Sequence, residues 1–269
     1  MTMTLEFPDL LRLIEERSTA FRAAVASAPS LDVQVPTCPE WTLFDLAQHI
    51  GEGRRDWAVT VAAGPAPAKS AAEGAPAAPR EREALLAWLA ESTGQLLDAL
   101  REAGPDRGCW SWWETLQSPH TSGAVARHQL QQMAVHTYDA QITVGAAQPL
   151  PEEAALDGVD EFLSTCVATA SAWPHQPAAI DFHASEGHSW RLSLSADGAR
   201  SARLPRPGTV PATTADRSQD PDAPAAFASV RGTANELVLI LHDRIPIDSL
   251  ELDGDRRLFD QLRAWEPDE

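Results

Sequence analysis

The stretch VARHQLQQMAVHTYDAQ, residues 125–141, predicts a helix that carries a row of polar side chains. It contains no Pro or Gly, and its composition is compatible with a helix. His128, Gln132 and His136 recur at intervals of four, which places them along one helix face. Apolar residues flank this row on both sides, so it can face inward. A metal site and a hydrogen-bonded polar row inside a bundle are both compatible with this spacing.

Apolar periodicity predicts further helices in the first half of the chain, at about residues 4–27, 42–63, 80–103 and 152–171. Thr42 followed by Asp45 predicts a capping box at the start of the second helix. The Pro/Ala/Gly-rich segment 62–79 predicts an exposed loop.

The pattern changes after Trp173-Pro174. Strands are predicted at 178–185, 189–198, 226–232 and 249–255, with helices at 233–244 and 256–265. We therefore expect an α+β protein, with a helical bundle over 1–172 and a small α+β domain over 178–269.

Composition excludes several classes of protein. The apolar content of 43% is that of a soluble globular protein, and no apolar run is long enough for a transmembrane helix. The N-terminus lacks the basic region of a secretion signal, and three widely spaced cysteines suit a reducing cytoplasm. The net charge of −18 argues against nucleic-acid or anionic membrane partners.

Spacing alone allows a metal site between two helices. Gln132 and His136, four residues apart, can both reach one ion, and His49 on the second helix can supply a third ligand. Such a site would keep open positions for water or a thiolate and would act as a Lewis acid.

A family resemblance supports this interpretation. VPTCPEWTLFDLAQHIGEGRRDWA, residues 35–58, resembles the VPxCPxWTxxDLxxHL opening of the mycothiol-dependent maleylpyruvate isomerase family, and QQMAVHTYDAQ resembles its HExxxHxxDA helix. The segments AAIDFHASEGHSWRLSLSADG, VRGTANELVLILHDR and LELDGD are similar in order to its C-terminal α+β domain.

The resemblance implies a DinB-like four-helix bundle with a divalent metal, most often zinc. It places the ligands at His49, Gln132 and His136, with Gln131 and Gln132 standing where the family has His and Glu. A Gln oxygen brings no charge, so we expect weaker zinc binding. His128, earlier on the same face, is an alternative ligand.

The resemblance also implies a reaction in which the thiol of mycothiol adds to a conjugated alkene, the bond rotates and the thiol leaves. An Arg of the C-terminal domain has a catalytic role in the family, for which Arg244 is the first candidate and Arg231 the second. Arg54 and Arg55 are candidates for binding the anionic cofactor or substrate near His49. Ordinary surface positions would explain these arginines equally well.

Three other features have two interpretations each. Cys38 fits either a nucleophile or a structural residue, and the Trp-rich loop CWSWWETL fits either an aromatic pocket or plain packing. Asp139 fits either an acceptor that orients His136 or a surface acid.

The sequence therefore predicts a thiol-dependent isomerase or transferase that acts on a small conjugated carbonyl or carboxylate compound. Two alternatives are a metal-free relative with a different reaction in specialised metabolism and a non-catalytic ligand-binding protein.

Overall fold

The computed structural model describes residues 5–67, 77–113, 117–205 and 226–265. The chain forms two compact units. The first comprises Met1–Trp112 with Pro119–Ala154, and the second comprises Trp113–Ser118 with Ala155–Glu269. Within the described ranges, no helix combines the length and apolar character needed to cross a membrane.

The first unit is a bundle of four long helices. They are α1 (Phe7–Ser27), α2 (Leu43–Ala63), α3 (Arg82–Ala103) and α4 (Ser122–Thr143). Helix α2 packs against α3 and α4, and α1 packs against α4 and α3. All four helices agree with the predicted ranges to within a few residues, and the expected α+β class is confirmed.

Leucine and phenylalanine side chains from these helices form a continuous core. Phe21, Leu43, Leu46, Leu85 and Leu89 are each fully buried. Their helical spacing made these positions recognisable in the sequence.

The start of α2 is fixed by the predicted capping box. The backbone N–H of Asp45 donates to the Thr42 hydroxyl at 3.2 Å, and the Asp45 carboxylate accepts from the Thr42 backbone N–H at 2.9 Å. This pair satisfies donors that the first turn of a helix leaves free.

A short hairpin precedes α2 and was not predicted. It consists of β1 (Gln34–Val35) and β2 (Cys38–Thr42), and it packs against α2 and α4. A two-residue strand is too short to show an alternating pattern, and two prolines interrupt the segment that contains both strands. The hairpin nevertheless positions residues 37–41 over the bundle.

The second unit contains a five-stranded sheet with strand order β5-β4-β3-β6-β7. The strands are β3 (Ala178–Ala184), β4 (His188–Ser195), β5 (Gly198–Arg203), β6 (Ala226–Gly232) and β7 (Glu251–Gly254). Only the pairing of β3 with β6 is parallel. Helix α6 (Ala234–Leu241) packs against β3 and β6, and α7 (Arg257–Ala264) packs against β6.

The structure differs from the sequence-based prediction in the second half. The predicted helix 152–171 is a shorter α5 (Glu152–Glu161) followed by a π-helical segment, Phe162–Val167. Strand β5 was not predicted, because GARSAR lacks the alternation of a half-buried strand. Residues 68–76 of the predicted loop lie outside the described residues.

The predicted domain boundary at 172–178 falls inside the second compact unit. The segment before it packs with the sheet, since Thr169 and Ala199 form an isolated antiparallel bridge. The indole of Trp190 also donates to the Asp160 carboxylate of α5 at 3.0 Å. Most of α5 therefore belongs with the sheet by its contacts.

Candidate functional site

Two histidines from different helices meet next to a tryptophan in the first unit. The ring centroids of His49 on α2 and His136 on α4 are 5.3 Å apart, with nearly perpendicular planes. Trp41 of β2 lies 4.7 Å from the His49 ring and 6.3 Å from the His136 ring. We call His49 and His136 the histidine pair. The packing of α2 on α4 brings together two of the three predicted metal ligands.

A fully buried carboxylate orients one of these histidines. Asp139 Oδ2 lies 2.9 Å from His136 Nδ1, and the Thr37 hydroxyl donates to Asp139 Oδ1 at 2.6 Å. A carboxylate only accepts hydrogen bonds, so His136 donates from Nδ1, and Nε2 is the ring nitrogen left to meet a metal. Asp139 is thus an orienting acceptor, and not a surface acid.

His49 is held in its neutral form. Partial desolvation of its ring among neighbouring side chains, and secondarily the nearby His136, lower the pKa of His49 to about 4, although the residue as a whole is exposed. Desolvation disfavours the imidazolium ion, and a second charge nearby would repel it. A neutral imidazole at pH 7 offers the lone pair that a metal or a proton donor requires.

The two adjacent glutamines lie in different surroundings. Gln131 is 1% exposed, and its side-chain amide donates to the Ala154 carbonyl oxygen at 3.3 Å. Gln132 is half-buried and lies one turn before His136 on the same helix face. The role of Gln132 as a metal ligand therefore stays a prediction, whereas the Gln131 side chain contacts the start of α5.

His128 has aromatic neighbours. Its ring centroid lies 6.3 Å from that of Trp57 and 5.6 Å from that of Trp112. Because α4 is continuous, His128 is displaced from His136 by about 12 Å along the helix axis.

The predicted anion-binding arginines of α2 point in different directions. Arg54 is 3% exposed, donates to the Thr93 hydroxyl and contacts the Met133 sulfur. Burial lowers the pKa of this guanidinium to about 9.

Arg55 is engaged on the side facing α3. Its Nε donates to the Ser92 hydroxyl at 2.8 Å, and its guanidinium lies over the Trp88 ring at 5.0 Å. These contacts account for Arg55 structurally. A cofactor-binding role for Arg54 and Arg55 stays a prediction.

The predicted catalytic arginine follows α6 in the second unit. The Asp243 N–H donates to Ile240 and the Arg244 N–H to Leu239, as in a Schellman motif, and Asp243 has a φ of 57°. The Arg244 guanidinium donates to the His242 carbonyl oxygen at 2.7 Å. Its alternative, Arg231 on β6, is exposed and lies 3.9 Å from Glu251.

Cys38 and the Trp-rich loop complete the predicted set. Cys38 Sγ lies 3.9 Å from Asp139 Oδ2, so the thiol contacts the group that orients His136. In the loop, Trp110 and Trp112 are 39% and 48% exposed, whereas Trp113 is 2% exposed. Packing thus accounts for Trp113, and the two exposed rings leave the aromatic-pocket interpretation open.

Two residues of the site were missed in the sequence. Trp41 and Thr37 reach the histidine pair because the hairpin folds over α2 and α4. The usable signal was the position of Trp41 directly before the N-cap Thr42, where an apolar residue often packs back onto the helix.

Family models match the chain over most of its length. The mycothiol maleylpyruvate isomerase N-terminal domain matches residues 11–141, and the MDMPI C-terminal domain matches residues 153–261. The chain belongs to this family. Its first domain contains the histidine pair.

Solved structures agree with this assignment at the level of the fold. Two crystal structures of mycothiol-dependent maleylpyruvate isomerase, one of a histidine-to-alanine mutant, align with a TM-score of 0.57 each. They share 15% and 14% sequence identity with this member of the family, over 94% of this chain and 96% of theirs. No curated protein matches the chain significantly.

Proposed function

We propose that the protein is a mycothiol-dependent isomerase or transferase that uses a divalent metal held by His49, Gln132 and His136. The observation that carries the proposal is the histidine pair, in which Asp139 fixes the tautomer of His136. A histidine whose second nitrogen is held by a carboxylate is the usual arrangement at protein metal sites.

The three donor side chains suit a zinc-like ion, but one of them is a neutral amide, so the affinity should be low. Two imidazoles bound to one tetrahedral zinc at about 2.0–2.1 Å have ring centres roughly 5 Å apart, close to the 5.3 Å found for His49 and His136. Gln132 can add a carbonyl oxygen but no charge. We therefore expect one ion per chain, with lower affinity than a site with Glu at this position would have.

When bound, such an ion lowers the pKa of a coordinated thiol and so supplies a thiolate at neutral pH. The chain's own residues prepare the site for it. Asp139 accepts from His136 Nδ1 and so leaves Nε2 as the nitrogen that can face the ion, and the Trp41 ring packs against the His49 ring.

The substrate class is a small cis-alkene conjugated to carbonyl or carboxylate groups. Addition of the thiolate forms a carbon–sulfur bond and moves the alkene electron pair onto the conjugated carbonyl. The former double bond is then single and can rotate. Return of the electron pair restores the trans-alkene and expels the thiolate, so no oxidant or reductant is consumed.

We propose Arg244 as the residue that binds a substrate carboxylate during this sequence. A guanidinium can bind a carboxylate through two hydrogen bonds, and its positive charge would offset the repulsion that a net charge of −18 exerts on an anionic substrate. Arg244→Lys should keep the charge but lose the fork geometry, so a rise in KM is expected.

The test combines metal analysis with turnover. Purified protein is assayed for metal by mass spectrometry and for isomerisation of maleylpyruvate in the presence of mycothiol. We expect about one ion per chain and thiol-dependent turnover, both lost in His136→Ala. His175→Ala, which removes an exposed histidine of the second unit, serves as the matched control.

The neutral Gln132 favours one alternative, a ligand-binding protein without turnover. That alternative predicts no metal after incubation with zinc and no isomerisation. It also predicts that a thiol or a conjugated acid raises the melting temperature without being converted. This combination of results would refute the enzyme proposal.

A further inference from the structure

The second unit contains a cavity that none of the candidate site residues lines. It has a volume of about 260 Å³ and lies among the π-helical segment, α6, α7 and the sheet. Its apolar wall includes Phe182 of β3, Ile240 of α6 and Phe259 of α7. Phe162 and Trp265 add two further aromatic side chains.

The size and lining of the cavity suit a flat aromatic molecule. An apolar cavity of about 150 Å³ accommodates one benzene ring, so this volume is sufficient for a fused two-ring system. Aromatic side chains favour aromatic partners through edge-to-face and offset contacts. Within the protein, Phe162 makes a contact of this kind, since its ring centroid lies 4.7 Å from that of His242 in a T-shaped geometry.

The π-helical segment provides an independent indication of function. Such segments are rare and occur frequently at functional sites. Three of its residues, Phe162, Cys166 and Val167, line the cavity.

The rim of the cavity is charged. Asp243 and Arg263 pair with each other at 2.5 Å and so largely neutralise one another. Asp260, one turn before Arg263 on α7, is exposed at the same rim. Its carboxylate has no hydrogen bond or ion pair with any other residue in the described part of the chain. The rim therefore presents one uncompensated negative charge beside an aromatic cavity.

We propose that this cavity binds a small aromatic ammonium compound. The fused ring occupies the apolar interior, and the ammonium group pairs with Asp260. The proposal concerns the second unit alone and does not depend on metal or thiol binding in the first.

Tryptamine is the probe, and 3-methylindole is the neutral comparison with the same ring system. Isothermal titration of the full chain should give a tryptamine Kd in the millimolar range or tighter. Asp260→Asn should weaken tryptamine binding roughly two- to fivefold, as for an exposed ion pair, and leave 3-methylindole unaffected. Asp197→Asn, an exposed acid on the β4–β5 turn, should change neither affinity.

Filling the cavity tests its location. Leu262→Trp should abolish tryptamine binding, and Val167→Phe provides a second filling variant if the first does not fold by circular dichroism. His136→Ala should bind tryptamine as the wild type does. Binding that survives both filling variants, equal affinity for 3-methylindole and tryptamine, or no detectable tryptamine binding would each overturn the proposal.

Discussion

Replacing Asp139 by Asn tests how the candidate metal site is built. The carboxylate of Asp139 accepts from His136 Nδ1 at 2.9 Å and from the Thr37 hydroxyl at 2.6 Å, and the residue is fully buried. Asn has a single acceptor oxygen, so its NH₂ group must face one of these two partners. If the NH₂ group faces His136, it favours the His136 tautomer with the proton on Nε2. A protonated Nε2 has no lone pair for a metal.

The expected magnitude follows from this geometry. Loss of a carboxylate that orients a metal-bound histidine typically weakens metal affinity by about 10- to 100-fold, or about 1.4–2.7 kcal/mol. A poorly paired buried amide should also lower the free energy of unfolding by about 1–3 kcal/mol.

Two assays measure these effects in Asp139→Asn. Zinc affinity is determined by competition with a chromophoric chelator, and long-range ¹H–¹⁵N spectra of metal-free protein identify the His136 tautomer. Asp181→Asn is the matched control, since Asp181 is 1% exposed but pairs with Arg191 at 2.7 and 2.8 Å in the second unit. Unchanged zinc affinity in Asp139→Asn, or an Nε2–H tautomer in the metal-free wild type, would refute the reasoning.

Three further substitutions probe the site and the bundle. Gln132→Glu should tighten zinc binding in the chelator assay, since one added charge acting over about 4 Å contributes about 1–4 kcal/mol. Thr42→Ala should lower the unfolding free energy in urea by about 1 kcal/mol, because the N-cap of α2 is lost. The hydrogen bonds that the Asp45 carboxylate accepts from Thr42 hold the pKa of Asp45 below its usual value. The stabilisation of the folded state by ionised Asp45 is therefore present above about pH 4, and it is lost as the pH falls through the lowered pKa. The difference between Thr42→Ala and wild type should therefore shrink in acid. Leu46→Ala removes a side chain with 0% exposure and should lower the unfolding free energy by about 2–5 kcal/mol in the same titration.

Each of these substitutions has a control on the surface of the first unit. Gln148→Glu adds the same charge at an exposed position and should leave zinc affinity unchanged. Thr19→Ala on α1 removes an exposed hydroxyl, and Val59→Ala removes a 40% exposed side chain. The unfolding free energy of both variants should stay within about 0.5 kcal/mol of the wild-type value. If a control variant changes the measured zinc affinity or unfolding free energy as much as its test variant does, the named contact is not the cause of the change.

The helices of the first unit were predictable because their information is local. Leu43, Leu46 and Ile50 mark one face of α2 by spacing alone, and Thr42 with Asp45 marks where that helix begins. The same reasoning failed for strand β5, whose residues show no alternation, and for residues 162–167. In residues 162–167 the backbone hydrogen bonding changes from the α to the π type, and no Pro or Gly signals the change.

The candidate site was only partly predictable. His136 and Asp139 are three residues apart on one helix, so their hydrogen bond could be anticipated from helix geometry. The hairpin contacts could not, since Thr37 and Trp41 reach the histidines through packing between distant segments. The π-helical wall of the cavity in the second unit likewise has no local signal in the sequence.

The sequence by itself therefore determined the helices of the bundle, most of the strands and the residue types of the site. Those features depend on side-chain periodicity and capping within a few residues. Only the tertiary structure decided that His49 lies beside His136, that Arg54 is buried, and that Asp139 accepts from both His136 and Thr37. The reason is that the direction of a side chain and its hydrogen-bond partner depend on how separate elements pack, and residue spacing along the chain carries no record of that packing.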